Sequence, residues 1–493
     1  MAPVQNVPLL SILLCLVSGL TCAVLPGRAA RFLAGLVPGL VFGMNLMLTF
    51  VFRDLTPYVY PMGHFPAPWG NELRAGPLES VFCAALSLTA FLSLNAGMRK
   101  VRQQIPARKQ NLYCVVTLLT LCAVCALVYT NDLFTGYVFI EISTLSAAAL
   151  IFSRQDDHSL AAAIRYLVMN LTGSGLCLMG ISMLYGITGQ LNMESIRQAL
   201  DPAEGAPSLP LRGVMVLLTV GLSIKSGLFP FHEWLPDAYS YSTPASSALL
   251  SSVISKGYLF LLIKFYARCV GLDAVRASGL STVLFALAGL GLIAGSLHAI
   301  RQWDLRRMIS YSSVAQISFV YLAVALGTGE GLTAAVFHML VHAFGKSMLF
   351  LAASGLGDVS GGQFDADALR GSGKRNFAAG AAFTLGAVSM TGVPLLGGFL
   401  SKIYLSQAAL SLGGPAAVAV LLLLALSTFL NTLYFLHAVV GLYRPGTAAP
   451  PVPQRSGAGY LVCLSVMMAV NLFLGTASAP LYAALLRGVA LFG

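Results

Sequence analysis

The chain is 493 residues long, 57% hydrophobic and only 10% charged, with a formal net charge of +11. Soluble domains carry roughly 25% charged residues, and a soluble fold of this size exposes too much surface to hide so much apolar side chain. A soluble enzyme, a disordered regulator and a fibrous protein are excluded, and 49 glycines spread through apolar runs favour close-packed helices over a barrel.

Apolar runs of roughly 18–25 residues recur, each long enough to cross about 30 Å of hydrocarbon. They fall near 4–25, 31–52, 78–97, 112–130, 133–153, 160–187, 211–229, 244–266, 278–299, 308–327, 330–354, 376–410, 416–441 and 457–476. The predicted class is an all-α polytopic membrane protein, one transmembrane domain over 1–493 with about fourteen spans. The tail, 480–493, reads as interfacial. The first span is not read as a signal peptide, because no Lys or Arg precedes it while Arg28 and Arg31 follow.

With the N-terminus outside, the inner connections hold 16 Lys and Arg and the outer ones 7. That bias supports both the count and the orientation. It also accounts for the basic excess without nucleic acid as a partner. Cys122 and Cys125 form a CxxC inside LLTLCAVCALVY, where small apolar core residues are the plainer reading.

Six cations and one carboxylate fall inside spans: Arg165, Lys225, Lys256, Lys264, Lys346, Lys402 and Glu141. A charge at mid-bilayer costs about 2.5–3.5 kcal/mol on insertion scales, so such residues read as functional by default. Glu141 lies well inside GYVFIEISTLSAAALIF, and its bland alternative is a pin between two helices. Lys225 lies late in its span, before Pro230, and could snorkel. Lys256 is mid-span. Lys264 is nearer the outer end, where snorkelling is the better reading, and the bland reading also holds for Arg165. A Lys–Glu pair at about 4 Å would interact by about 4 kcal/mol at an effective dielectric of 20, enough to move a proton.

His338, His342 and Lys346 stand four apart in FHMLVHAFGKSMLF, along one helix face at about 6 Å of rise each. Such a row can relay protons. A metal site and satisfied structural histidines remain alternatives, although the glutamate of HExxH is missing. Lys402 follows TGVPLLGGFLSK, and Lys225 opens KSGLFPFHEWLPDAYSYSTP. Both stretches predict helices broken within the bilayer, a feature that marks ion sites.

These segments resemble the antiporter-like subunits shared by respiratory complex I, Mrp-type sodium/proton antiporters and membrane-bound hydrogenases. The likeness runs over most of 110–405 and rests on IKSGLFPFHEWLPDAYSYSTPASSALLSSVISK, DLRRMISYSSVAQIS, HMLVHAFGKSMLFL and TGVPLLGGFLSK. It implies two inverted five-helix repeats, 112–266 and 278–441, each with a broken helix, near 225–244 and 390–402. It implies that Glu141 and Lys225 are the paired glutamate and lysine, and that Lys256 is the central lysine. His338, His342 and Lys346 match the relay, and Lys402 the terminal lysine. Departures are Arg165-Tyr166 for Lys-Tyr, Val393-Pro394 for Pro-Pro, and Tyr239 for a histidine.

The leading expectation is proton translocation, with sodium as a possible second ion, by one subunit of a larger complex in the bacterial inner membrane. Protons would pass from Lys225 and Lys256 through His338 or His342 to Lys346 and leave by Lys402. A non-conducting assembly subunit is the alternative. The partners implied are other membrane subunits and the lipid bilayer. No nucleotide fingerprint, haem motif or iron–sulfur spacing is present, so no cofactor or metal is assigned.

Overall fold

A computed structural model describes residues 2–52, 56–200, 207–445 and 457–492. Arg53 and Arg455, which entered the charge count, lie outside them. The chain is an all-α integral membrane protein. Among the described residues thirteen helices are long and apolar enough to cross a membrane. In chain order α1 is Val7–Val24, α2 Gly27–Val51, α3 Pro77–Gln104, α4 Gln110–Tyr129, α5 Leu133–Phe152 and α6 Asp157–Thr188. Then come α7, Leu209–Ser226, and the short α8, Trp234–Tyr241. The rod α9 runs Pro244–Val270, with α10 Leu280–Ile300, α11 Leu305–Ala325 and α12 Gly329–Asp358 after it. The predicted span 376–410 is two helices, α13 (Phe377–Thr391) and α14 (Gly397–Leu412). The bundle closes with α15 (Gly414–Tyr443), α16 (Ala458–Thr476) and α17 (Ala479–Ala490). A small antiparallel hairpin, Tyr58–Pro61 with Glu72–Ala75, precedes α3.

Lipid-facing and core helices differ in which residues they hide. The apolar windows of α9 and α12 are wholly buried and that of α11 nearly so, whereas α2, α6, α15 and α16 leave most of theirs uncovered. Polar groups on α9, α11 and α12 therefore meet protein, and every charge there needs a partner inside the bundle.

Both interrupted helices stop the same way. After α7 the Gly227 amide donates to Ile224 and the Leu228 amide to Ser223. After α13 the Gly392 amide donates to Ser389 and the Val393 amide to Val388. This is the six-to-one and five-to-two pattern of a Schellman stop, and it needs a left-handed residue. Gly227 and Gly392 supply it with φ of 82° and 89°. Trp234 Nε1 also caps the first break, donating to the Ile224 carbonyl at 3.0 Å. The α13–α14 joint is tighter still. A Cβ on Gly398 would sit 1.8 Å from the Ser389 carbonyl oxygen, and one on Gly475 of α16 would sit 2.2 Å from that of Leu395.

Candidate functional site

Lys225, at the end of α7, is fully buried. Its amine donates to Thr144 Oγ1 of α5 at 2.9 Å and lies 5.6 Å from the centre of the Tyr258 ring. The expected close ion pair with Glu141 does not form among the described residues. Thr144, one helical turn beyond Glu141, takes the amine instead. Glu141 is half-buried, and its Oε1 meets no protein partner. Tyr258 of α9 continues the polar line, 2.8 Å from Ser143 Oγ and 3.4 Å from Thr144 Oγ1.

Lys256 is two residues from Tyr258 and is also fully buried. A π-helical turn, Leu250–Ile254, precedes it and loosens the backbone ladder. The Lys256 amine takes the Ser251 carbonyl at 2.5 Å, Ser255 Oγ at 3.3 Å and His342 Nδ1 at 2.8 Å. That last contact joins α9 to α12 across 86 residues of sequence. It is the most direct link between two of the sequence-derived candidates.

The histidines lie along α12 as the spacing predicts, with rings 6.1 Å apart and 9° from parallel. His338 stacks on Phe319 of α11 at 4.0 Å, and its Nδ1 is 3.0 Å from Ser401 Oγ of α14. The Nε2 atoms of both rings are buried and meet no protein partner. Ser401 adjoins Lys402, whose amine donates to the Thr391 carbonyl and to Thr428 Oγ1, both at 2.7 Å. Lys402 thus spans the α13–α14 break and holds one of the carbonyls left open there.

The Lys346 amine turns to α11, donating to the Ile309 carbonyl at 2.9 Å and to Ser312 Oγ.

Lys264, expected to snorkel, is wholly buried. Its amine donates to the carbonyls of Leu127, at 3.3 Å, of Thr130, at 2.7 Å, and of Val128. These carbonyls close α4, where backbone acceptors have no helical donor. Lys264 is therefore a helix cap from a neighbouring helix, beside the buried Arg74–Glu79 pair at 2.5 Å. Lys264→Met strands these carbonyls and is expected to cost about 3 kcal/mol, read as a lowered Tm of the purified chain in detergent. Arg165 keeps its bland reading, as an exposed ion-pair partner of Asp237 on α8. Arg307 holds the same carboxylate at 3.3 Å, so the two arginines fix the short helix after the first break.

The residues that sequence reading missed are Thr144, Tyr258, Ser312, Ser401, Thr391 and Thr428. Hydroxyls and carbonyls carry no insertion penalty comparable to a charge, so nothing in the sequence set them apart. The one available signal was adjacency: Tyr258 is two residues from Lys256, and Ser401 is next to Lys402.

A family profile described as NADH:quinone oxidoreductase/Mrp antiporter, transmembrane, matches residues 130–429, a segment that contains all seven candidates from Glu141 to Lys402. NADH-quinone oxidoreductase subunit N of Desulforudis audaxviator is 34% identical over 428 residues, covering 85% of this chain and 83% of its own length. A chain of the membrane-bound sulfane sulfur reductase, an archaeal respiratory membrane complex, superposes with a TM-score of 0.87 at 26% identity, over 99% of this chain and 98% of that one. A chain of the Mrp complex from a Dietzia species superposes at 0.85 with 22% identity, over 100% and 97%, a likeness of fold.

Proposed function

This chain belongs to the NADH:quinone oxidoreductase/Mrp antiporter transmembrane family, and we propose that it carries protons across an energy-conserving membrane as one subunit of a multisubunit complex. The membrane is the bacterial inner membrane, with the N-terminus outside, as the charge bias supports. The two halves act as inverted repeats, and their matching Schellman stops support that reading. Protons reach Lys225 and pass by the Thr144 and Tyr258 hydroxyls toward Lys256. From there they cross to His342, move along α12 to His338, and reach Lys402 beside Ser401. Lys346 holds a branch position, and Glu141 biases Lys225 through its field rather than through an ion pair.

The observation that carries this reading is the 2.8 Å contact between Lys256 Nζ and His342 Nδ1 on the two wholly buried helices. An amine and an imidazole at hydrogen-bond distance can pass a proton, and such a pair has no evident structural need in an apolar core. Six of the seven candidates are amines or imidazoles, groups that take up and release protons, so the proposed cargo is the proton.

Lys225→Ala in the assembled complex tests the path. Proton translocation, followed by a pH-sensitive dye in sealed vesicles, is expected to fall by about 10²-fold. Pumping with unchanged stoichiometry would remove Lys225 from the route.

A further inference from the structure

One groove contains none of the candidate relay residues in its lining. It has a volume of about 570 Å³ and runs between the end of α10, the start of α11 and the end of α15, under the loop that follows α12. The walls along the helices are apolar: Ile300, Leu433 and Val440 line it while remaining 39–46% exposed. The mouth is different. Arg370, Arg444 and Trp303 gather there, with Trp303 78% exposed. Among the described residues Asp367 is the single carboxylate of the lining, and Arg370 holds it at 2.7 Å. The Arg444 charge is therefore uncompensated within the groove.

This combination has a physical reading. A tryptophan exposed at a helix start, beside apolar side chains that also stay exposed, sits at headgroup depth. The groove opens at the arginine-rich end of the bundle, the leaflet whose surface in bacteria meets anionic lipid from the cytoplasm. Guanidinium groups match phosphate in shape and charge. We propose that the groove is a binding site for an anionic phospholipid, with its phosphate between Arg370 and Arg444 and an acyl chain lying along α10 and α15.

The test uses the full-length chain in phosphatidylcholine vesicles containing a minor fraction of phosphatidylglycerol with brominated acyl chains. Bromine quenches nearby indole fluorescence. The Trp303 signal is the emission lost in Trp303→Phe. Quenching of that signal is expected to report local phosphatidylglycerol at about five times its bulk fraction or more, the gain of roughly one arginine at a membrane surface. In R370Q/R444Q it should fall to the bulk fraction. Both arginines are exposed at the surface, so this variant retains the fold, and a far-ultraviolet spectrum like that of the wild type checks it. Asp367→Asn frees Arg370 and should raise the enrichment. Three results would overturn the proposal: quenching at the bulk fraction in the wild-type chain, enrichment that persists in the double variant, or a Trp303 shielded from every brominated lipid in the assembled complex. The last would give the groove to a partner subunit.

Discussion

Lys256→Arg is expected to abolish proton translocation while the chain still folds. The Lys256 amine occupies the junction between the two halves, bonded to His342 on one side and to the carbonyl of Ser251 on the other. Arginine keeps a cation and its donors at that junction. It stays protonated under all physiological conditions, so it can hold a charge but cannot release a proton to the imidazole. A relay that loses a proton-transfer group loses typically 10²–10⁴-fold in rate. Lys256→Met should show the same loss, because it removes the amine and leaves His342 Nδ1 without its partner. The arginine variant is the more telling of the two, since it separates charge from proton exchange. Vesicles carrying the assembled complex, energised by its own driving reaction, give the readout. Wild-type acidification with arginine at 256 would mean that the buried cation merely anchors α9 to α12.

The second large effect is expected from Gly398→Ala. Side-chain size, not chemistry, is at stake here. The added methyl would lie 1.8 Å from a backbone oxygen of the preceding helix, where ordinary contacts begin near 3.4 Å. Backbone cannot rotate aside as a flexible side chain can, so α13 and α14 must part by more than 1 Å. That movement is confined on the other side, because the chain at Leu395 and Leu396 presses on Gly475 of α16. Leu395 already carries a φ of 73°, a left-handed conformation that costs a branched residue roughly 1–2 kcal/mol. The joint therefore has little slack. A loss of at least about 4 kcal/mol is expected, with a lowered Tm and impaired assembly. Function should fall with it, because Ser401 and Lys402 lie near the start of α14, and the bond of Lys402 to Thr391 crosses the same joint. A variant with unchanged Tm and unchanged pumping would show that the two half-helices can separate freely.

How far the sequence reached depends on which physical cost each feature carries. Membrane crossings were legible because each apolar run has to match the thickness of hydrocarbon, and among the described residues thirteen helices long and apolar enough to cross stand where fourteen runs were predicted, the run 376–410 being two shorter helices. The two breaks were legible because glycine and proline cluster there beside the lysines, and a left-handed glycine readily stops a helix. Lys225, Lys256, His338, His342, Lys346 and Lys402 announced themselves by the penalty of placing an ionisable group in oil. All of these are properties of a residue and its near neighbours in the chain.

Partnership is a property of packing, and there the sequence was silent or misleading. Nothing local says that Lys256 meets a histidine 86 residues away, or that His338 reaches Ser401. Lys225 prefers a threonine hydroxyl to the nearby carboxylate, which depends on how α5 and α7 are turned against each other. Lys264 was read as a surface group because a lysine near a helix end can extend to water. It stays inside because α4 ends beside it with carbonyls that need a donor. Composition and spacing fix which groups must be enclosed and where helices must stop; only the folded bundle decides which atoms satisfy one another, since a hydrogen bond is settled within about 3 Å and the chain neighbours of a residue do not determine what arrives there.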